Sequence, residues 1–164
     1  MTAPSANRRS GQPGITRRFA VGGAEGYLTT AVSKDGTLTQ VIVRVGKHGS
    51  TLAGLTDALQ AIINLGLRHG IPLAEIVRDL VDVSYDPKGA TNDPDIRTAA
   101  SITDYVGRRL ALDHLSRGER VTLGVLTREE HRTPAGRRTT TVASLPATPV
   151  PLPRTSPLQG ASHN

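Results

Sequence analysis

The sequence predicts an α+β domain, a small antiparallel sheet of two or three strands followed by three principal helices, between disordered N- and C-terminal tails. Three observations carry this reading. Two β-branched runs meet at Asp35-Gly36, apolar residues recur at helical spacing from Leu52 to Leu110, and both ends are rich in Pro, Thr, Ser and Gly. The 164 residues thus divide into a leader, 1–15, a folded domain, 16–132, and a tail, 133–164.

The runs are Gly26 to Val32 and Thr39 to Val45, and the Asp-Gly between them is a strong short-range hairpin signal. A strand around Arg17 to Val21 is expected beside them, with Gly22 and Gly23 as its turn. Next, Leu52, Leu55, Leu59, Ile62, Ile63 and Leu67 repeat at helical spacing, with Ser50 placed to cap the helix. Gly70 ends that helix, and Pro72 sits in the first turn of a second carrying Leu73, Ile76, Val77 and Leu80. Residues 84–92 read as a loop. Asp93, Pro94 and Asp95 then read as the start of a third helix that runs to about Leu115, with Ile96, Ala99, Ile102, Val106 and Leu110 on one face. On that reading Asp93 and Asp95 are cap and dipole residues rather than a catalytic carboxylate pair. Arg108, Arg109 and His114 complement the carbonyl end of the same helix.

Composition excludes several chemistries. The chain has no cysteine, so it carries no disulfide, thiolate metal site, cysteine nucleophile or redox relay. Its aromatics are Phe19, Tyr27, Tyr85 and Tyr105, too few for an extended platform that stacks single-stranded nucleic acid. The net charge of +6 comes from Arg8, Arg9, Arg17 and Arg18 at one end and Arg137, Arg138 and Arg154 at the other. Residues 19–132 hold 13 basic against 14 acidic side chains, so the folded part gives little reason to expect a nucleic-acid partner. The apolar stretch Leu59 to Leu67 is too short to span a bilayer. Arg17-Arg18-Phe19 is followed by glycines and Glu25 rather than an apolar run, so it is no export signal and a cytoplasmic protein is expected. The five histidines lie in separate segments without ligand spacing, and no metal site is expected.

One segment has the makings of a ligand site. Gly46, Lys47, His48, Gly49, Ser50 and Thr51 join a strand to a helix, bringing backbone N–H groups, a hydroxyl and a cation together as phosphate sites require. Gly46, Lys47, Gly49, Ser50 and Thr51 are therefore candidate nucleotide- or phosphate-binding residues. The alternative is a structural turn that the glycines permit and Ser50 caps. The GxxxxGK[ST] order of a Walker A loop is absent.

Four strings, GGAEGYLT (22–29), GKHGSTLAGLTDAL (46–59), LGLRHGIPLAEIV (65–77) and DPDIRTAASITDYVGRRLALDHL (93–115), resemble one family. They are similar to the TSCPD domain, the C-terminal region of adenosylcobalamin-dependent (class II) ribonucleotide reductases, over about Phe19 to Arg132. The resemblance implies a role beside a ribonucleotide reductase large chain in deoxyribonucleotide synthesis. It also implies that the adenosylcobalamin site, reactive cysteine and reducing cysteine pair belong to a barrel that these residues do not include. No catalytic residue and no bound cofactor are therefore expected in this chain, which reads as a stand-alone homologue that is not active by itself. Gly107 stands where the family commonly has phenylalanine, and its loss of packing and helix propensity is expected to be destabilising. Thr56, Leu59, Ala90 and Asn92 are further departures.

Overall fold

A computed structural model of the protein describes residues 14–132. The α+β class and the order of its main elements are as the sequence predicts. Strands β1 (Gly14–Val21), β2 (Ala24–Val32) and β3 (Leu38–Val45) form an antiparallel sheet in that spatial order. Gly22 and Gly23 make the first turn at φ 54° and 88°, and Gly36 at φ 85° lies in the second, conformations in which a side chain is strained. Gly14 and Ile15, placed in the leader by composition, are the first residues of β1 and pair with Ala31 and Thr30. The rest of the leader and the 133–164 tail lie outside the described residues.

One face of the sheet buries Phe19, Val21, Leu28, Val41, Val43 and Val45. Helix α1 (Thr51–Arg68) lies along the free edge of β3 rather than over a face. There Val41 N–H donates to Asn64 Oδ1 at 2.8 Å, Asn64 Nδ2 donates to Val41 O at 2.7 Å, and Val43 N–H donates to Gln60 Oε1 at 2.9 Å. Four helical residues rise about 6 Å and two strand residues about 6.6 Å, so amides one turn apart match alternate groups of the strand. Gln60 and Asn64 interrupt the apolar run because they act as a surrogate fourth strand. Val41 and Val43 are thereby closed to another chain.

Gly70 at φ 73° turns the chain into α2 (Leu73–Leu80), with Pro72 at the position before its first residue. The segment expected to be loop contains β4 (Gly89–Ala90), which pairs with β5 (Thr98–Ala99). The long third helix requires correction. Helix α3 spans Ile102–His114, and its N-cap is Ser101, whose Oγ accepts from Asp104 N at 3.1 Å while donating to Val83 O at 2.6 Å. Asp93 instead closes a local turn, its Oδ1 accepting from Asp95 N at 2.9 Å. Ile96 and Ala99 are buried, but Ile96 lies in a loop and Ala99 in β5 rather than on a helix.

Gly107 also requires a different account. A Cβ built on it would stand 2.8 Å from Leu80 Cβ, so the glycine is what lets α3 approach α2. The departures at Thr56 and Asn92 have local uses. Thr56, 2% exposed, returns its hydroxyl to Leu52 O and Ala53 O at 3.0 Å, and Asn92 Oδ1 accepts from Ala20 N at 2.8 Å. Two short helices, α4 (Arg117–Thr122) and α5 (Arg128–Arg132), complete the described chain.

Candidate functional site

The Gly46–Thr51 turn has the backbone its glycines predict, with φ 75° at Gly46 and 80° at Gly49. Ser50 N–H donates to Lys47 O at 3.0 Å, and Ser50 Oγ accepts from Ala53 N at 3.2 Å, which makes it the N-cap of α1. The hydroxyl is thus engaged within the protein. Beside the turn lies a cavity of about 420 Å³ lined by Arg44, Val45, Gly46, His48, Ala53, Thr56 and Asp57. Among the five candidate residues only Gly46 lines it. Arg44, which sequence reasoning did not select, is paired with Asp57 at its mouth.

A second constellation forms between β1, the 92–95 loop and α3. Arg109, only 6% exposed, reaches Asp93 at 3.3 Å and Asp95 at 3.4 Å, and meets Asp113 in a two-pronged contact of 2.6 and 3.1 Å. Tyr105 OH donates to Asp93 Oδ2 at 3.0 Å, and its ring stacks on Phe19 with centroids 4.6 Å apart. Arg17 approaches Asp113 at 3.4 Å from the sheet. Burial opposes the charge on Arg109, but the hydrogen bonds and charges of Asp113 and Asp93 outweigh it and raise its pKa. Burial, then the Asp93 carboxylate, pushes the Tyr105 hydroxyl up, so it stays protonated and donates.

Arg108 diverges from its neighbour and clasps the α2–α3 connection, contacting Asp104 at 2.8 Å and Asp82 at 2.5 Å. The Asp104 carboxylate also accepts from the backbone of Asp82 at 2.7 Å and of Ala100 at 2.8 Å. These contacts correct the expectation that the arginine pair serves the helix dipole and solubility, and that Asp93 caps a helix. A sequence signal for the correct geometry did exist: Ser101-x-x-Asp104 is a capping signature nine residues before the end of the apolar period. Starting the helix there frees Asp93 and Asp95 to meet Arg109.

The constellation borders a recess of about 300 Å³ lined by Arg17, Arg18, Asn92, Asp93, Pro94, Asp95, Tyr105 and Arg109. With one guanidinium shared among three carboxylates, it staples the loop to α3. Among the described residues no group of three or more His, Asp or Glu is placed to hold a metal ion, and no helix is long and apolar enough to cross a membrane.

The TSCPD domain model matches residues 2–114, which include the sheet, the Gly46–Thr51 turn and the Asp93–Arg109 cluster. The chain belongs to the TSCPD domain family. It is 46% identical over 122 residues to the vitamin B12-dependent ribonucleotide reductases of Streptantibioticus cattleyicolor and Streptomyces coelicolor, covering 74% of this chain but 20% and 13% of those proteins. The enzyme of the same name from Rhodopirellula baltica is 32% identical over 102 residues, covering 62% of this chain and 10% of that protein. The chain thus spans a fifth or less of these curated relatives. No solved structure matches it.

Proposed function

We propose that this chain is a ribonucleotide-reductase-associated protein of the cytoplasm, which acts in deoxyribonucleotide synthesis by binding a vitamin B12-dependent reductase large chain and is not catalytic alone. The observation that carries the reading is its 46% identity to one segment of such reductases in a chain without a single cysteine. Purified protein given adenosylcobalamin, dithiothreitol and ribonucleotides should form no deoxyribonucleotide. Titrated into the B12-dependent reductase of the same organism, it should bind saturably and change turnover. Turnover by the chain alone, or titration without heat or effect on the reductase, would end this reading.

A second reading is supported by the cavity between Arg44, Gly46 and His48: a nucleotide- or phosphate-binding module at the Gly46–Thr51 turn. On this reading Lys47→Ala weakens phosphate, ATP or dATP binding by about 1–2 kcal/mol without affecting folding, the scale of one charge-assisted hydrogen bond. Ser50→Ala weakens the ligand and also costs about 1 kcal/mol of stability through its cap. Calorimetry of the parent protein decides: no heat with any of the three leaves a structural turn.

A further inference from the structure

Helix α1 turns Gln60, Ile63 and Asn64 toward β3, and this leaves Leu55 and Ile62 exposed on a second face, whose border Leu59 is half-buried against the core. Leu55 is 61% exposed and Ile62 68%, and four of the eight large exposed hydrophobics of the described residues, Leu55, Ile62, Leu65 and Ile71, lie on α1 or just beyond it. Concentration of this kind marks an interaction surface rather than ordinary scatter.

The spacing of that face says what covers it. Leu55, Leu59, Ile62 and Gly66 follow one another at intervals of four, three and four, the seam of two helices packed side by side. The seam is self-complementary when antiparallel. About a two-fold axis between Gln60 and Ala61, Leu59 falls opposite Ile62, and the protruding Leu55 falls opposite Gly66. Gly66 itself is buried against Ile76 and Ile71, and it lines a groove of about 310 Å³ between α1 and α2. The knob at one end of the helix thus meets the groove at the other.

Charge agrees with this register. Glu75 and Asp79, one helical turn apart on the groove, are exposed acids. The antiparallel partner brings to them the N-terminal end of its α1, whose first turn holds no acid and which follows Lys47 and His48. We propose that the α1–α2 face is a two-fold interface between two copies of this chain, seamed by Leu55, Leu59 and Ile62. An 18-residue helix is about 27 Å long, so the face belongs among the smaller specific interfaces, about 600 Å² a side, and the dimer is concentration-dependent. The inference does not depend on the reductase reading.

Light scattering and sedimentation of the full chain, over a series reaching about 100 μM, should show the mass rising from 17.3 kDa toward twice that value. Ile62→Glu and Leu55→Glu should each hold it at one chain with unchanged circular dichroism, because both side chains are exposed in the single copy. Val121→Glu, at an exposed site on α4, should leave the rise intact. Since the protein has no cysteine, the double variant Leu59→Cys/Ile62→Cys, whose two sites face each other across the two-fold, should give an oxidised covalent dimer and Val121→Cys should not. A mass of one chain at every concentration overturns the proposal, and this is also the result expected if a reductase subunit covers the face instead. A dimer that survives Ile62→Glu overturns it equally.

Discussion

Where α1 meets β3, two neutral amides answer the backbone of Val41 and Val43; where α3 meets the 92–95 loop, one guanidinium answers three carboxylates. Both joins satisfy polar groups out of water, yet they differ in what a single loss leaves behind. An amide removed from α1 exposes backbone groups near solvent at a sheet edge, where water can replace part of the bond. A charge removed from the Arg109 cluster leaves the buried Asp93 carboxylate without its compensating cation. The edge join is therefore tolerant, and the charged join is rigid but fragile.

The sharpest way to break the comparison is Arg109→Ala. It strands Asp93, 8% exposed, with only the Tyr105 hydroxyl and the Asp95 N–H, and it should cost about 3–5 kcal/mol in urea unfolding. Arg109→Lys keeps the charge without the two-pronged contact and should retain part of that stability. A loss below about 1 kcal/mol for the alanine variant would show that the cluster is an accessory rather than a staple.

The same contrast governs what could be read from the sequence. Strands, turns, the Ser50 cap and the end of α1 at Gly70 depend on neighbours within a few residues, and each was legible because its signal is local. Asp93 and Arg109 stand 16 residues apart and meet only because the intervening chain forms β5 and restarts as a helix at Ser101. Pro94 flanked by aspartates imitates a helix start, so local chemistry pointed away from the tertiary pairing. At α1, helical spacing named the apolar residues but not their orientation. Leu55 and Ile62 share the helical spacing of buried Ile63, yet they are exposed, because the amides of Gln60 and Asn64 decide which side faces β3. Of the candidate ligand turn, the backbone was legible; the role of Arg44 at its cavity was not, because it arrives from the preceding strand.

At the edge join the expected effects are smaller. Asn64→Ala removes both bonds to Val41 and should cost about 2 kcal/mol, whereas Gln60→Ala removes one bond to the strand, besides an exposed one to Asp57, and should cost about 1 kcal/mol. The Asn64 loss should not change with salt, since its bonds are to neutral backbone groups. Asn64→Ala should also raise light scattering on storage, because an uncovered strand edge pairs with other chains. Equal losses for the two variants would show that α1 is held by its apolar contacts and not by the surrogate strand.

The smallest effect concerns a group that belongs to neither join. His114 ends α3 with its Nε2 buried and without a hydrogen-bond partner among the described residues, and burial pushes its pKa below 6.5, with Asp113 opposing the shift and Arg109 adding to it. The sign follows from proton uptake. Above pH 6.5 the imidazole is neutral in both folded and unfolded chains and stability is insensitive to it. As pH falls through 6.5, the unfolded chain takes up the proton first, so stability declines until the lower folded value is passed. His114→Leu removes this slope, while carboxylate titrations common to both proteins cancel in the difference. Between about pH 8 and about pH 5.5 the thermal midpoint of the parent should therefore fall further than that of the variant. Asp113→Asn, which withdraws the charge that favours the imidazolium, should steepen the fall. Parallel curves for parent and His114→Leu would mean that α3 accommodates the proton, and the uncompensated charge would then be confined to the Arg109 cluster.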